Sequence, residues 1–191
     1  LGAGFSNQIL KEPVSINNFF SQRLINTMTA QFQSILPGAF RITTNPEQCL
    51  SCANLQNWSP GRSYYSLFEM KNTKSIWILH LSRSVGEGIA SLVNKRNTPH
   101  DKNAFIGLRE ADSFIYLEIG ELLRGFFNSI IELWPESEKL NVSRCRHILQ
   151  LVFLNNPIQE DEYVIISFQL DNRECSGEFH LVFPQRHLLS I

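Results

Sequence analysis

The sequence predicts an α/β fold, a layered α/β/α domain in which strand–helix halves recur as an imperfect repeat. Three features carry this reading. Residues 108–134 have helical periodicity, with Phe114, Leu117, Leu122, Phe126, Ile130 and Trp134 on one stripe. Tyr163–Leu170 alternates with period two, setting Val164, Ile166, Phe168 and Leu170 on one face of a strand. Ser75–Leu81 is apolar on both faces, so it must lie centrally in a sheet that is covered on each side.

The elements follow in chain order. Residues 1–14 are read as a flexible lead-in and 15–191 as one domain. From Ser15 the apolar residues Phe20, Leu24, Met28, Phe32, Ile35 and Leu36 recur at helical spacing until Pro37-Gly38 ends the run. Ala39–Thr44 reads as a strand. Asn45–Arg62 is loop-rich, with a short strand over Cys49–Leu55. Tyr64–Met70 and Ser75–Leu81 form a hairpin across Lys71–Lys74. Ser84 caps a short helix running to about Val93, and Asn94–Gly107 is a polar loop. The long helix occupies Leu108–Trp134 and stops at Pro135. Ile115, Ile119, Phe127 and Ile131 widen its apolar stripe beyond one sheet face, so it should touch a sheet and another helix. His147–Leu154, Tyr163–Leu170 and Gly177–Pro184 are the closing strands, separated by Asn- and Asp-rich turns.

Composition narrows the function. Hydrophobic residues make up 43% and charged residues only 18%, which favours a surface that works within an assembly. A net charge of −1 with scattered Lys and Arg excludes a nucleic-acid partner, whose phosphates need a concentrated basic face. The densest basic run, Arg144-Cys-Arg-His147, is too short to supply one. No stretch approaches the roughly 18 apolar residues of a membrane span. No secretory signal pattern is present, and four cysteines do not make a disulfide framework, so a cytoplasmic location is expected. The chain starts at Leu1 rather than Met and is read as an excised piece.

A search for chemistry finds little. Cys49-Leu-Ser-Cys52 offers two thiols where a closed zinc site wants four ligands. Cys145 and His147 could complete it on paper, yet extended backbone would aim the two thiols at opposite faces. No metal or cofactor is therefore expected. Among His80, His100, His147, His180 and His187, the two within apolar strands, His80 and His180, read as hydrogen-bonded core or edge residues. Neither has a nucleophile or orienting carboxylate beside it in sequence. Glu118 and Glu121 project together from the long helix, either as a candidate acid/base pair or as its solvated face.

The long helix, Leu108 through Glu118-Ile-Gly-Glu121 to Glu132-Leu-Trp134, resembles a helix of the FliM/CheC/CheX family. Its Trp turn is similar to the one that ends this helix in FliM-type middle domains. Ser75–Leu81 followed by Val85-Gly86-Glu87-Gly88 falls where FliM carries a strand and then its GGxG loop, and Gly177–Pro184 is similar to the family's closing strand. The resemblance covers about residues 15–190 in order. It implies a CheC-like fold and a non-catalytic role in the flagellar motor switch, or C-ring. A FliG-like rotor protein would bind at Val85, Gly86, Glu87 and Gly88, and neighbouring copies would associate in the ring. CheY would be reached through a segment outside these residues. The domain would lie at the cytoplasmic face of the inner membrane.

Two departures modify those expectations. Val85 replaces the first glycine of the family loop, removing its access to positive φ. The alternative is that Gly86 and Gly88 only end a strand and start a helix. In the phosphatase signature of CheC, Phe114 stands for the family's Asp and Glu121 for its Asn. A glutamate there sets negative charge against a phosphoryl group. The resemblance therefore implies no enzyme, with a CheC-type phosphatase of phosphorylated CheY centred on Glu118 and Glu121 as the alternative. A ring component of a related type III secretion system is the third reading.

Overall fold

The structure is a computed structural model and describes residues 18–45, 47–58, 63–97, 120, 122–134, 140–148 and 162–188. Helix α1 (Asn18–Gln33) forms on the four-residue spacing of Phe20, Leu24, Met28 and Phe32, all buried. It ends before the predicted Leu36. Ile35 and Leu36 remain buried, but in a closing turn where the Leu36 amide donates to the Phe32 carbonyl at 2.7 Å. Gly38, at φ +75°, then redirects the chain into β1 (Arg41–Thr44).

Strand β2 (Gln48–Ser51) is shorter than the predicted Cys49–Leu55, because the chain turns helical at Cys52. Ser51 causes the change: its Oγ accepts the Asn54 amide at 3.3 Å and caps α2 (Cys52–Asn57). The hairpin β3 (Ser63–Met70) and β4 (Ile76–Ser82) matches the prediction, with Lys74 taking the left-handed φ of +49° in its turn. Helix α3 (Arg83–Asn97) begins directly at the end of β4 and runs past the predicted stop at Val93. Of the long helix, here α4, residue 120 and residues 122–131 are described, and 132–134 form its closing Trp turn.

Strand β5 (Val142–Ile148) starts earlier than the predicted His147. Ser143, Arg144 and Arg146 disguise it, since they belong to the strand that ends the described sheet order, where Ser143 and Arg144 are exposed. Residues 149–154 lie outside the described residues. Strands β6 (Glu162–Asp171) and β7 (Gly177–Pro184) match the prediction closely, and a 3-10 turn (Gln185–His187) follows.

Among the described residues all strand pairings are antiparallel, in a seven-stranded sheet of order β1-β6-β7-β4-β3-β5, with β2 also on β6. Thr44 faces Phe168 and Gln48 faces Ile165, so the register on β6 shifts by one residue between β1 and β2. The order shows the expected repeat. Hairpin β3–β4 is related to hairpin β6–β7, and the two meet at β4–β7. Each half also lends a strand to the other: β1 pairs with β6, and β5 with β3.

One sheet face carries Trp77, Leu79 and Leu81 of β4 with Val164, Ile166, Phe168 and Leu170 of β6, under α1, α3 and α4. As predicted, α4 meets both sheet and helix. Phe127 stacks on Phe68 at 3.6 Å, while Phe126 meets Phe32 of α1 at 5.3 Å and Trp134 meets Phe20 at 4.7 Å. Such ring pairs each add about 0.5–1.5 kcal/mol beyond area burial. The opposite face carries Tyr65, Leu67, Ile78, Ile165 and Val182, packed with Cys52 and Leu55 of α2. Helical cover on both faces makes the α/β/α layering.

His80 and His180 face each other at the β4–β7 seam, Nδ1 to Nδ1 at 2.7 Å, beneath Trp58. They are the hydrogen-bonded core histidines the sequence suggested. The contact requires one ring to donate and the other to accept, so at least one Nδ1 carries no proton. Burial pulls both below the ordinary 6.5, and for His80 the His180 charge adds to it. The unfolded chain thus binds protons more readily than the folded one, and stability is present above pH 6.5 and lost as pH falls beneath it. Thermal melts of a His80→Phe/His180→Leu double variant should lose less Tm between pH 7 and 4 than the parent. Equal losses would show that the pair does not set this slope.

Candidate functional site

The residues expected to bind a partner, Val85, Gly86, Glu87 and Gly88, lie in the first turns of α3 and not in a loop. This corrects the loop that the resemblance implies and agrees with the helix that the residues predict from Ser84. Valine fits because its side chain points inward: Val85 is fully buried under the helix. Gly86 is also buried. A methyl group at Gly86 would run into the Tyr64 ring, and one at Gly88 would stand 2.8 Å from Cys175 Cβ. Close helix–sheet approach, not positive φ, is what requires glycine at these two positions.

The floor beneath this turn is equally tight. Gly177, at φ +154°, passes where a Cβ would meet Ser84 Oγ at 2.5 Å and Ser82 Oγ at 2.6 Å. Cys175 donates its thiol to the Val85 carbonyl at 3.4 Å, and burial pushes that thiol up to about 11, so it stays protonated. The outward side is polar. Arg83 Nε donates to Glu87 Oε1 at 2.6 Å, and Ser84 and Ser91 are exposed. An ion pair of this exposure contributes little stability, roughly 0.3–0.5 kcal/mol for an i,i+4 helix pair. Only Glu87 and Gly88 of the four expected residues reach solvent, and Arg83, Ser84 and Ser91 join them there.

The alternative phosphatase pair, Glu118 and Glu121, lies outside the described residues. Between them Gly120 is described, close to His147: an added Cβ would stand 3.3 Å from its Nε2. Cys49 packs with the core beneath α1 and α4, whereas Cys52 belongs to the core beneath α2. The two thiols thus serve opposite faces of the sheet. Among the described residues no three His, Cys, Asp or Glu side chains gather as a metal site. His187 contacts Ser75 Oγ at 3.2 Å and is held down to about 4 by burial, then by the Arg186 charge. Sequence reading missed that Ser66 meets His147 Nδ1 at 2.9 Å, since only the β3–β5 register brings them together. Among the described residues no helix is long and apolar enough to cross a membrane.

No protein-family model matches the sequence, and no curated protein does. Solved structures do match. The architecture is similar to a CheC-like superfamily protein from Shewanella, with a TM-score of 0.53 and 9% identity over 87% of this chain and 98% of that one. The chain has the CheC-like fold. It shares the form of that fold found in FliM middle domains. One is in the FliG–FliM complex from H. pylori, with a TM-score of 0.68 and 13% identity over 91% and 94% of the two chains. Another is the FliM middle domain of Vibrio alginolyticus, at 0.65 and 14% over 89% and 94%.

Tight packing at α3 predicts what Gly86→Ala does. Overpacking against the buried Tyr64 ring should outweigh the helix propensity gained, with a net destabilisation of about 1–3 kcal/mol by urea unfolding. Glu87→Lys, on the outward side, should shift stability by under about 0.5 kcal/mol. A Gly86→Ala variant as stable as the parent would contradict the close approach.

Proposed function

We propose that this chain is a non-catalytic docking domain of the flagellar motor switch, of the FliM middle-domain type, which binds a FliG-like rotor protein. The observation that carries the proposal is the architecture shared over 91% of the chain with a FliM whose structure was determined in complex with FliG. The order of strand, VGEG segment and long helix along the chain supports it, with the VGEG segment in the first turns of α3. Contact with neighbouring copies in a ring, and a position at the cytoplasmic face of the inner membrane, extend the same reading.

The partner meets the outward side of the first turns of α3, formed by Arg83, Ser84, Glu87 and Gly88, while Val85 and Gly86 hold the helix on the sheet. The ion pair of Arg83 with Glu87 is cheap to rearrange, so a charged partner can re-pair either side chain on docking. Rim charges of this kind act mainly on specificity and association rate.

Calorimetric titration with the middle domain of the cognate FliG should show micromolar or tighter binding. Glu87→Lys should weaken it about tenfold, the equivalent of 1.4 kcal/mol. A folded chain that does not bind, yet accelerates phosphate release from phosphorylated CheY, would replace the docking reading with the phosphatase one.

A further inference from the structure

We propose that Cys145 is a reactive thiol that undergoes exchange with low-molecular-weight disulfides, with His147 as its base and Ser66 as the residue that positions the base. Cys145 and His147 stand two residues apart on β5, so both side chains point to the same face. There the Cys145 sulfur is 3.9 Å from His147 Nε2. Across the sheet His147 is directly opposite Ser66, whose hydroxyl meets Nδ1 at 2.9 Å. Ser66 itself is buried. With Nδ1–H donating to Ser66, Nε2 turns its lone pair towards the thiol. This is the arrangement of nucleophile, base and orienting group that activates a cysteine.

The surroundings support the assignment. Arg144 and Arg146 alternate with Cys145 and His147 along β5 and so point to the opposite face of the sheet, which leaves the thiol its contact with His147 as the activating one. Among the described residues of β3 and β5 the charged groups are Arg144, Arg146 and Glu69, and Glu69 is paired with Arg146 at 2.7 Å. Cys145 is half-buried on the strand that ends the sheet order. The other thiols provide contrast. Cys52 and Cys175 are buried, and Cys175 is held protonated. Cys49 is half-buried like Cys145, but neither β2 nor its partner stretch 162–165 contains a histidine.

The step balances without a further reagent. The Cys145 proton passes to His147 Nε2, and the thiolate attacks one sulfur of the disulfide. One S–S bond forms as the other breaks, and the leaving half departs as a thiolate that takes up the proton. Cys145 is oxidised and the small disulfide is reduced.

The test incubates the folded chain with oxidised glutathione at pH 7 and follows each cysteine by peptide mass spectrometry. Cys145 should form the mixed disulfide first, about tenfold faster than Cys49, and Cys145→Ser should abolish the fast reaction. His147→Gln should slow Cys145 about tenfold and move the plateau of its rate–pH profile to higher pH. A parent chain in which Cys145 reacts no faster than Cys49 would overturn the proposal without any variant. So would a His147→Gln variant that melts like the parent and keeps the same rate and pH profile.

Discussion

Pairing of β4 with β7 is the constraint on which the rest of the structure depends. Each strand is the inner member of a hairpin, and their junction joins the halves into one sheet. The register sets Leu79 opposite Leu181 and His80 opposite His180, so one face of the seam is wholly apolar and the other carries the histidine pair. A slip of either strand by one residue would send its histidine into the aromatic core and its leucine to the opposite face. Two adjoining histidines can occupy that position only while at least one is neutral, because like charges at this distance in a buried site repel strongly.

From that seam the helices take their places. Strand exchange, β1 onto β6 and β5 onto β3, ties each half to the other beyond the central pair. Helices α1 and α4 precede the exchanged strands and therefore meet over the same face. Phe32 against Phe126 and Phe20 against Trp134 mark their contact, and Gln31 donates to Ser129 Oγ at 3.0 Å. Trp134 is also pinned from the other side, its indole donating to the His187 carbonyl at 3.0 Å. Helix α3 has a different role. It leaves β4 at once, is held down by Val85 and the two glycines, and turns a polar side outward.

Much of this was legible in the sequence. Strands β6 and β7 were readable because burial on one or both faces imposes a pattern that few other structures would produce. The width of the α4 stripe foretold its contacts with both sheet and α1. The misreadings have physical causes. Helix α2 was hidden because Cys52–Asn57 is short and depends on the single Ser51 cap, so it looked like part of a strand. The start of β5 was hidden by the polar residues an end strand tolerates. At α3, the helix from Ser84 is legible in the residues, and the loop that the family resemblance implies fails because close packing against Tyr64, and not backbone freedom, selects glycine at Gly86. The Ser66–His147 contact depends on strand register over a long separation, which no local pattern encodes.

The proposed docking role puts the working surface on α3, whose outward residues are fixed by the packing of Val85, Gly86 and Gly88 beneath them. Hydrogen–deuterium exchange of the chain, alone and saturated with the middle domain of the cognate FliG, tests that claim most directly. The account predicts partner-induced protection across residues 83–91, with the already protected seam of β4 and β7 unchanged. Protection confined to other elements, with none at α3, would contradict it.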